Sequence, residues 1–141
     1  MIKERLLKDY QVGEHFEPLA KKPITRVQLA KYAGASGDFN PLHLDDDFAQ
    51  KIGMKGVIAH GMLIMGFLGE YVMQLAGQDA KVTQFKMRFG KMTFLGDQIQ
   101  CNATVKERYE ENEKQFIVLE VTATKNEEEV VGSGIATLQL A

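Results

Sequence analysis

The sequence predicts an α+β fold in which an antiparallel β-sheet wraps around one long central helix. Apolar residues recur at helical spacing between positions 60 and 76, and from position 85 onwards they alternate with polar residues. The first spacing is typical of a helix and the second of a strand. A buried helix followed by several strands favours the α+β class. With 141 residues, the chain is expected to form a single domain over positions 1–141.

The composition is that of an ordinary globular protein. Hydrophobic residues make up 45% and charged residues 26% of the chain, and the formal net charge is −2. The longest apolar region, positions 61–69, is much shorter than the roughly 18 residues of a membrane span. We therefore expect neither a nucleic-acid nor a membrane surface. The single Cys101 and an N-terminus without a signal-peptide pattern favour a cytoplasmic location.

Two short helices are expected in the first third of the chain. Thr25 followed by Gln28 is a capping-box signal for a helix over residues 26–35. Asp47 followed by Gln50 gives the same signal for a short helix that ends at Gly53. The residues that the first helix is expected to bury are Val27, Leu29, Ala30 and Ala33.

The long helix is predicted over residues 60–76. Its opposite side is also mainly apolar, which is typical of a helix buried on all sides. Gly66 and Gly69 weaken a helix by about 1 kcal/mol each relative to alanine, so we expect them to allow close approach of a neighbouring sheet. The apolar residues at helical spacing are Leu63, Ile64, Phe67, Leu68, Tyr71, Val72 and Leu75.

Four strands are predicted after Gly77, because apolar and polar residues alternate in four segments. Turns at Gly96-Asp97, at positions 110–113 and at positions 126–128 separate them, which indicates an antiparallel meander. An early strand over residues 10–16 would complete the sheet. The alternating apolar residues are Phe85, Met87 and Phe89, then Ile99, Cys101, Ala103 and Val105, then Ile117, Leu119, Val121 and Ala123, and finally Ala136, Leu138 and Leu140.

Asp38 and His43 are the strongest candidates for chemistry. In an extended chain they would lie about 16 Å apart, but Pro41 restricts the backbone at and before its own position, which favours a turn. A turn brings the carboxylate and the imidazole within reach of one water molecule, which they can orient and deprotonate near neutral pH. Asn40 can donate an uncharged hydrogen bond, which suits a positioning role.

Gly61 is the candidate for activating an electrophile, since it stands at the predicted start of the long helix. The first N–H groups of a helix have no internal acceptor and lie at the positive end of the helix dipole. A thioester carbonyl bound there would be polarised, and losing one such donor typically costs about 3 kcal/mol of transition-state stabilisation. Together with the Asp38–His43 pair, this amide could add water across an activated double bond or remove it.

Structural explanations exist for the same residues. Asp38 fits a simple turn residue equally well, and His60 fits a packing residue at a helix start better than a catalytic one. Residues 45–47 are aspartates close to His43, but adjacent side chains point in different directions, so helix capping explains them better than metal binding. No metal site is therefore predicted. The sequence also contains no glycine-rich phosphate loop, nucleophilic-serine motif or CxxC pair.

The chain resembles the MaoC-like, (R)-specific enoyl-CoA hydratase family. The resemblance rests on the Asp-x-Asn-Pro-x-His motif within residues 32–45 and on Ala59-His60-Gly61-Met62, and it extends over nearly the whole chain. The family has the hot-dog fold, an antiparallel sheet curled around one central helix. The resemblance implies reversible syn hydration of a trans-2-enoyl thioester to an (R)-3-hydroxyacyl thioester without a metal or redox cofactor. It also implies a homodimer with the acyl tunnel near the interface.

The resemblance assigns roles to individual residues, with no departure at the motif positions. Asp38 and His43 match the catalytic pair, and Asn40 matches its supporting polar residue. Gly61 matches the backbone oxyanion donor. The candidates for oxyanion or substrate binding are Ser36, His60, Gly61 and Met62.

The favoured function is a hydratase or dehydratase acting on acyl-CoA. One alternative is the same reaction on a thioester of acyl carrier protein, and another is thioester hydrolysis on the same fold. A third is a non-catalytic protein that binds acyl thioesters. The presence of both Asp38 and His43 argues against the third alternative, because a binding module does not need a pair that holds water.

Overall fold

The computed structural model describes residues 5–141, so residues 1–4 of the predicted single domain lie outside the described residues. The α+β class is confirmed, with short 3₁₀ turns at Leu7–Asp9 and Pro41–His43. Over the described range, the helices are α1 (Arg26–Ser36), α2 (Asp46–Lys51) and α3 (Gly61–Ala76), and the strands are β1 (Leu19–Ala20), β2 (Ala80–Phe89), β3 (Gln100–Glu111), β4 (Lys114–Lys125) and β5 (Glu129–Leu140).

The strands form an antiparallel sheet in the order β1-β3-β4-β5-β2. β3, β4 and β5 make a meander as predicted, with positive φ at residues 112–113 and 126–127 in the two turns. The prediction that β2 continues this meander is wrong, because β2 pairs with β5, where Phe85 lies opposite Ala136. Residues 90–99 therefore cross over from β2 to β3, and the predicted turn at Gly96-Asp97 lies within this crossover.

The early strand predicted over residues 10–16 is only partly present. The strand that pairs with β3 is β1, which lies further along the chain. Upstream of β1, the Gly13 N–H donates to Val105 O and the Phe16 N–H donates to Ala103 O. This segment therefore follows β3, but its regular pairing amounts to an isolated bridge at His15.

α1 begins as predicted and packs on one side only. The Thr25 hydroxyl accepts the third backbone N–H of the helix at 3.1 Å, which is the expected N-cap bond. Leu29 and Ala33 are buried, whereas Val27 and Ala30 are exposed, so the prediction that α1 buries all four is wrong. Residues four apart share one face of a helix, and only that face reaches the core.

α2 begins two residues earlier than its sequence signal indicates. Its N-cap is Asp45, not Asp47, because the Asp45 carboxylate accepts the N–H groups of Asp47 and Phe48. The helix ends at Lys51 instead of at Gly53. The capping explanation of the aspartates is therefore confirmed for Asp45.

α3 packs against the concave face of the sheet and supplies the centre of the core. The apolar residues predicted at helical spacing are all buried, and they meet buried strand residues such as Ile99 and Leu119. The prediction of burial on all sides is wrong, because Met62 and Met73 are exposed on the opposite face. A Cβ on Gly66 would meet nothing within 4 Å, and one on Gly69 would make only an ordinary contact at 3.7 Å. These glycines therefore do not serve close approach of the sheet.

Among the described residues, no helix combines the length and the apolar character that crossing a lipid bilayer requires.

Candidate active site

The segment before the Pro41 turn is held by three consecutive bonds from side chain to backbone. The Ser36 hydroxyl accepts the Asp38 N–H at 3.2 Å, the Asp38 Oδ1 accepts the Asn40 N–H at 3.2 Å, and the Asn40 Oδ1 accepts the Leu42 N–H at 3.0 Å. Ser, Asp and Asn favour such bonds two residues ahead. This 36–42 turn series fixes one oxygen of Asp38 and leaves its Oδ2 free of the backbone.

The segment that precedes α3 fixes the orientation and the tautomer of the His43 ring. Its Nδ1 lies 2.8 Å from Ile58 O, and a carbonyl oxygen can only accept, so Nδ1 carries the hydrogen. In the neutral ring, Nε2 is therefore an acceptor. This Nε2 lies 3.9 Å from Asp38 Oδ2, and the two side chains are 11% and 51% exposed. The predicted pair does converge.

The separation of these two atoms suits one bridging water molecule. Two hydrogen bonds of about 2.8 Å from a water oxygen to atoms 3.9 Å apart would enclose about 90°. That angle is close to the angle between the two O–H bonds of water. Because Nε2 and Oδ2 are both acceptors, the water would donate both hydrogens and present its oxygen lone pairs outward.

His60 lies directly beneath the pair. It is 1% exposed, its ring stacks on His43 with centroids 3.8 Å apart, and its edge meets Tyr32 at 4.7 Å. Its Nε2 donates to the backbone carbonyl of Asp38 at 3.1 Å, while its buried Nδ1 has no hydrogen-bond partner among residues 5–141. Burial lowers the pKa of His60, an effect that the bond to Asp38 opposes and the neighbouring His43 reinforces.

The N-terminal amides of α3 open beside these side chains. His60 is the N-cap of α3, so Gly61 and Met62 occupy the first two helical positions, whose N–H groups have no acceptor inside the helix. A Cβ on Gly61 would lie 3.0 Å from the Phe89 ring. Glycine therefore keeps this amide uncrowded where β2 ends.

The structure separates the predicted site residues into two groups. Asp38, His43 and His60 lie together, and Gly61 follows His60 as the first residue of α3, whereas the Met62 side chain is exposed. The side-chain oxygens of Ser36 and Asn40 accept backbone N–H groups within the turn series, so their position favours shaping the turn over contacting substrate. Their predicted roles remain predictions.

Sequence reasoning missed three contributors to the site. The Ile58 carbonyl leaves no sequence signal, because a backbone atom acts and any residue type could supply it. Phe89 was predicted only as a strand residue, and its approach to Gly61 depends on where β2 ends. Tyr32 lies inside the motif segment but was given no role, although its ring meets His60.

Asp38, His43 and His60 offer possible metal-ligand atoms within 4.8 Å of one another. The two imidazole rings are inclined by only 24° and stand 3.8 Å apart. Their planes therefore intersect far beyond the roughly 2 Å reach of a metal–nitrogen bond. One ion could not lie on both nitrogen lone pairs without rotation of a ring.

Cavities in the described part of the chain include three of about 620, 310 and 210 Å³, and none of these three is lined by Asp38, His43 or Gly61. The largest is a polar cleft beside Lys125 and Gln100. Cavity size therefore does not identify the site in a single chain. The geometry of donors and acceptors does.

The family model of the MaoC-like domain matches residues 8–130, and the chain belongs to this family. The sheet curled around α3 is the hot-dog fold, as the resemblance predicts.

The known relatives agree with this assignment. The chain is 33% identical over 104 residues to an (R)-specific enoyl-CoA hydratase of Rhodospirillum rubrum, a match that covers 73% of this chain and 71% of the relative. It is 35% identical over 80 residues to the (R)-specific enoyl-CoA hydratase of Aeromonas caviae, covering 56% of this chain and 60% of the relative. The solved (R)-hydratase from A. caviae, described as involved in PHA biosynthesis, superposes with a TM-score of 0.82 at 26% identity, covering 95% of this chain and 99% of that one.

Proposed function

We propose that this protein is an (R)-specific enoyl-CoA hydratase, which adds water reversibly to a trans-2-enoyl-CoA and forms the (R)-3-hydroxyacyl-CoA. The observation that carries the proposal is the 3.9 Å separation between His43 Nε2 and Asp38 Oδ2, two acceptors beside the free amides of α3. The relatives named as (R)-specific enoyl-CoA hydratases support the substrate class.

The proposed reaction begins with a water molecule that donates to both Asp38 and His43. Its oxygen bonds to the β-carbon of the enoyl group while the pair accepts one of its protons. The π electrons move towards the thioester carbonyl, and the negative charge on that oxygen is stabilised by the N–H of Gly61 at the positive end of α3. The pair then returns the proton to the α-carbon on the same face, so one water is added in full.

Hydration transfers no electrons to an external acceptor, so the proposed reaction uses these residues and water without a redox or metal cofactor. Coenzyme A enters only as part of the substrate. Cys101 is a free buried thiol, which suits the reducing cytoplasm that we propose as the location.

We propose a homodimer as the working form. The exposed face of α3 carries Met62, Gly66 and Met73 at helical spacing, and small residues between methionines allow another helix to approach closely. In the described part of the chain, β2 is the last strand in the sheet order and leaves one edge open. Phe89, at the end of this strand, is exposed next to Gly61. A second copy on this side would bury these exposed apolar residues and form one side of the substrate site.

The proposal is tested with purified protein and crotonyl-CoA, by following the loss of the enoyl absorbance. Asp38→Asn keeps an oxygen for the Asn40 N–H but removes the charge, so we expect turnover to fall by about 10²–10⁴-fold. Since the side chain lies at the surface, the free energy of unfolding should change by no more than about 0.5 kcal/mol. Asp47→Asn, an exposed change outside the site, is the matched control and should keep full turnover.

Other outcomes identify other functions. Release of free thiol by the folded wild-type protein would indicate a thioesterase. Turnover of crotonyl-acyl carrier protein but not of crotonyl-CoA would indicate the carrier-dependent dehydratase. If the wild type binds crotonyl-CoA but neither hydrates nor hydrolyses it, the protein is a binding module and the hydratase proposal is wrong.

A further inference from the structure

His60 touches both members of the Asp38–His43 pair through different parts of its ring. The face of the ring stacks on His43 at 3.8 Å, and Nε2 donates to the Asp38 carbonyl at 3.1 Å. The mechanism proposed above gives His60 no task. A buried histidine with contacts to both reacting groups therefore needs an explanation of its own.

The two ends of the catalytic turn are held in different ways. At the His43 end, the backbone of Ile58 makes two bonds, accepting from His43 Nδ1 and donating to Leu42 O. At the Asp38 end, the hydrogen bond that reaches beyond the turn series, among the described residues, is the one from His60. Asp38 is half-exposed, so without this bond its backbone would be tied to the body of the protein only through its neighbours in the turn.

The charge state of His60 matters for the same arrangement. Its Nδ1 is buried without a partner, which disfavours a second proton on the ring, and the titratable groups that face it are Asp38, His43 and Tyr32. A neutral ring with its hydrogen on Nε2 keeps the bond to the Asp38 carbonyl. It also lets His43 accept a proton during the reaction without a second positive ring stacked against it, and a neutral aromatic face favours a cation.

We propose that His60 is a positioning residue for the hydration reaction: its Nε2–H holds the Asp38 backbone, and its ring face holds the His43 imidazole, so that Oδ2 and Nε2 stay one water apart. This inference rests on the proposed hydratase function. It makes His60 neither an acid nor a base in the reaction, and it assigns the histidine of the Ala59-His60-Gly61 segment a task separate from that of the glycine.

Two substitutions of His60 test its hydrogen bond to Asp38 and its stacking on His43 separately. His60→Gln retains an N–H donor but loses the ring, and His60→Phe retains the ring but loses the donor. Each should lower kcat by about a hundredfold, the typical effect of a misplaced reacting group, with little change in KM. His15→Gln is the matched control, since His15 is an exposed histidine bonded to Thr104 on β3. It should retain the wild-type kcat.

A positioning role also predicts a loss of additivity. In an Asp38→Asn background, His60→Gln should lower kcat far less than it does in the wild type, because the group that it positions is already disabled. A residue that acts only through packing would lower kcat by the same factor in both backgrounds, and equal factors would overturn the proposal.

Nitrogen NMR of the wild-type protein tests the arrangement without any substitution. Between about pH 6 and 8, where an ordinary histidine titrates, His60 should remain neutral with its hydrogen on Nε2. Titration of His60 within this range, or a hydrogen on Nδ1 of His60, would overturn the proposal even if both substitutions prevented folding. Wild-type turnover with unaffected His60 variants would reject this inference alone. Absence of wild-type turnover would instead reject the hydratase proposal.

Discussion

Asp38, His43 and His60 each use one polar atom to bind the backbone and leave another atom free. Asp38 binds through Oδ1, His43 through Nδ1 and His60 through Nε2. The bound atom fixes the orientation of the side chain, and the free atom of Asp38 and of His43 faces the space for water. At the residue scale, the atoms that we propose to bind water are therefore the Asp38 and His43 atoms that the backbone leaves unbonded.

The proposed role of the Gly61 N–H can be tested with a proline substitution, which removes this hydrogen. Gly61→Pro keeps the helix start, because proline suits the first helical position and His60 already has the extended conformation (φ −61°, ψ 134°) that proline requires of the preceding residue. Gly61→Ala keeps the N–H and adds the same Cβ next to Phe89. We expect kcat/KM of Gly61→Pro to lie about a hundredfold below that of Gly61→Ala. Equal values for the two variants would exclude a role for this amide.

At the scale of elements, the crossover of residues 90–99 is held by a partly buried ion pair. Lys125 on β4 donates to Asp97 Oδ2 at 2.8 Å and to Met92 O, and Asp97 accepts the Phe94 N–H at 2.8 Å. The crossover in turn accepts the Ala59 N–H at Thr93 O. The strand residue Lys125 therefore supports the segment that leads into α3.

This ion pair predicts how stability depends on pH. Burial raises the pKa of Asp97, but the bonds from Lys125 and Phe94 lower it more, so its net pKa lies below the ordinary 3.8. A lowered native pKa stabilises the fold above the ordinary value, and this contribution is lost as the pH falls through the native value. Asp97→Asn should therefore lower the free energy of unfolding at pH 7 by about 2 kcal/mol.

Urea unfolding at pH 7 and at about pH 3 checks this sign. The difference between the wild type and Asp97→Asn should shrink at the lower pH, because the wild type then loses the contribution that the variant already lacks. Asp47→Asn should follow the wild type at both values. A difference that grows towards low pH would contradict the assignment.

Gly134 on β5 sets the distance to β2. A Cβ at this position would overlap the Lys86 carbonyl oxygen and lie 2.9 Å from the Met87 Cα, and these backbone atoms cannot rotate away. Gly134→Ala should therefore lower the free energy of unfolding by about 3 kcal/mol.

Gly34→Ala in α1 is the control for this substitution, since its Cβ would meet nothing within 4 Å. It should raise stability by about 1 kcal/mol through helix propensity. Thermal unfolding of both variants should show a less stable Gly134→Ala and a more stable Gly34→Ala protein. If Gly134→Ala leaves the stability unchanged, β2 can shift to make room for the methyl group.

The sequence patterns correctly predicted the features that local interactions determine. The Thr25 cap, the buried side of α3 and the two hairpin turns depend on residues that are close in the sequence. The partner of β2 was mispredicted because alternation shows which face a residue occupies but not which strand lies beside it. The exposure of Val27 depends on packing against distant residues, which a short stretch of sequence does not contain. At α2, three consecutive aspartates all fit the cap position, and the pattern did not select Asp45.

For the site, the sequence predicted which residues meet but not how they are held. The spacing of Asp38, Pro41 and His43 indicated a turn, and the structure confirms it. The bond from His43 to Ile58 and the stacking on His60 depend on how residues 57–60 return past the turn. No pattern within the motif encodes that return path.

At the scale of the whole molecule, the exposed residues Met62, Gly66 and Met73 of α3 and the edge strand β2 approach each other at Gly61, where the Phe89 ring lies beside the start of α3. Met73 is 61% exposed, which is unusual for the face of an otherwise buried helix. The proposed homodimer would remove this apolar surface from water.

Met73→Lys should weaken the dimer by about 3 kcal/mol or more, because twofold symmetry would bury two uncompensated charges. Val12→Lys is the matched control, since Val12 is 59% exposed but lies beside β3, away from the β2 edge. Sedimentation velocity should show dissociation of the first variant only. A monomeric wild type, or a Met73→Lys variant that sediments like the control, would contradict the homodimer.

The 36–42 turn series requires its bonding side chains to stand at every second position of the sequence. Each bond joins a side-chain oxygen to the amide two residues ahead, so Ser36, Asp38 and Asn40 act only while they occupy alternate positions. Inserting or deleting a single residue within the series would place a neighbouring residue at the position of Asp38. The Asp38 carboxylate would then point away from His43. Insertions should therefore be tolerated at the hairpin tips near residues 112 and 126, whereas the distance in sequence between Ser36 and His43 cannot change.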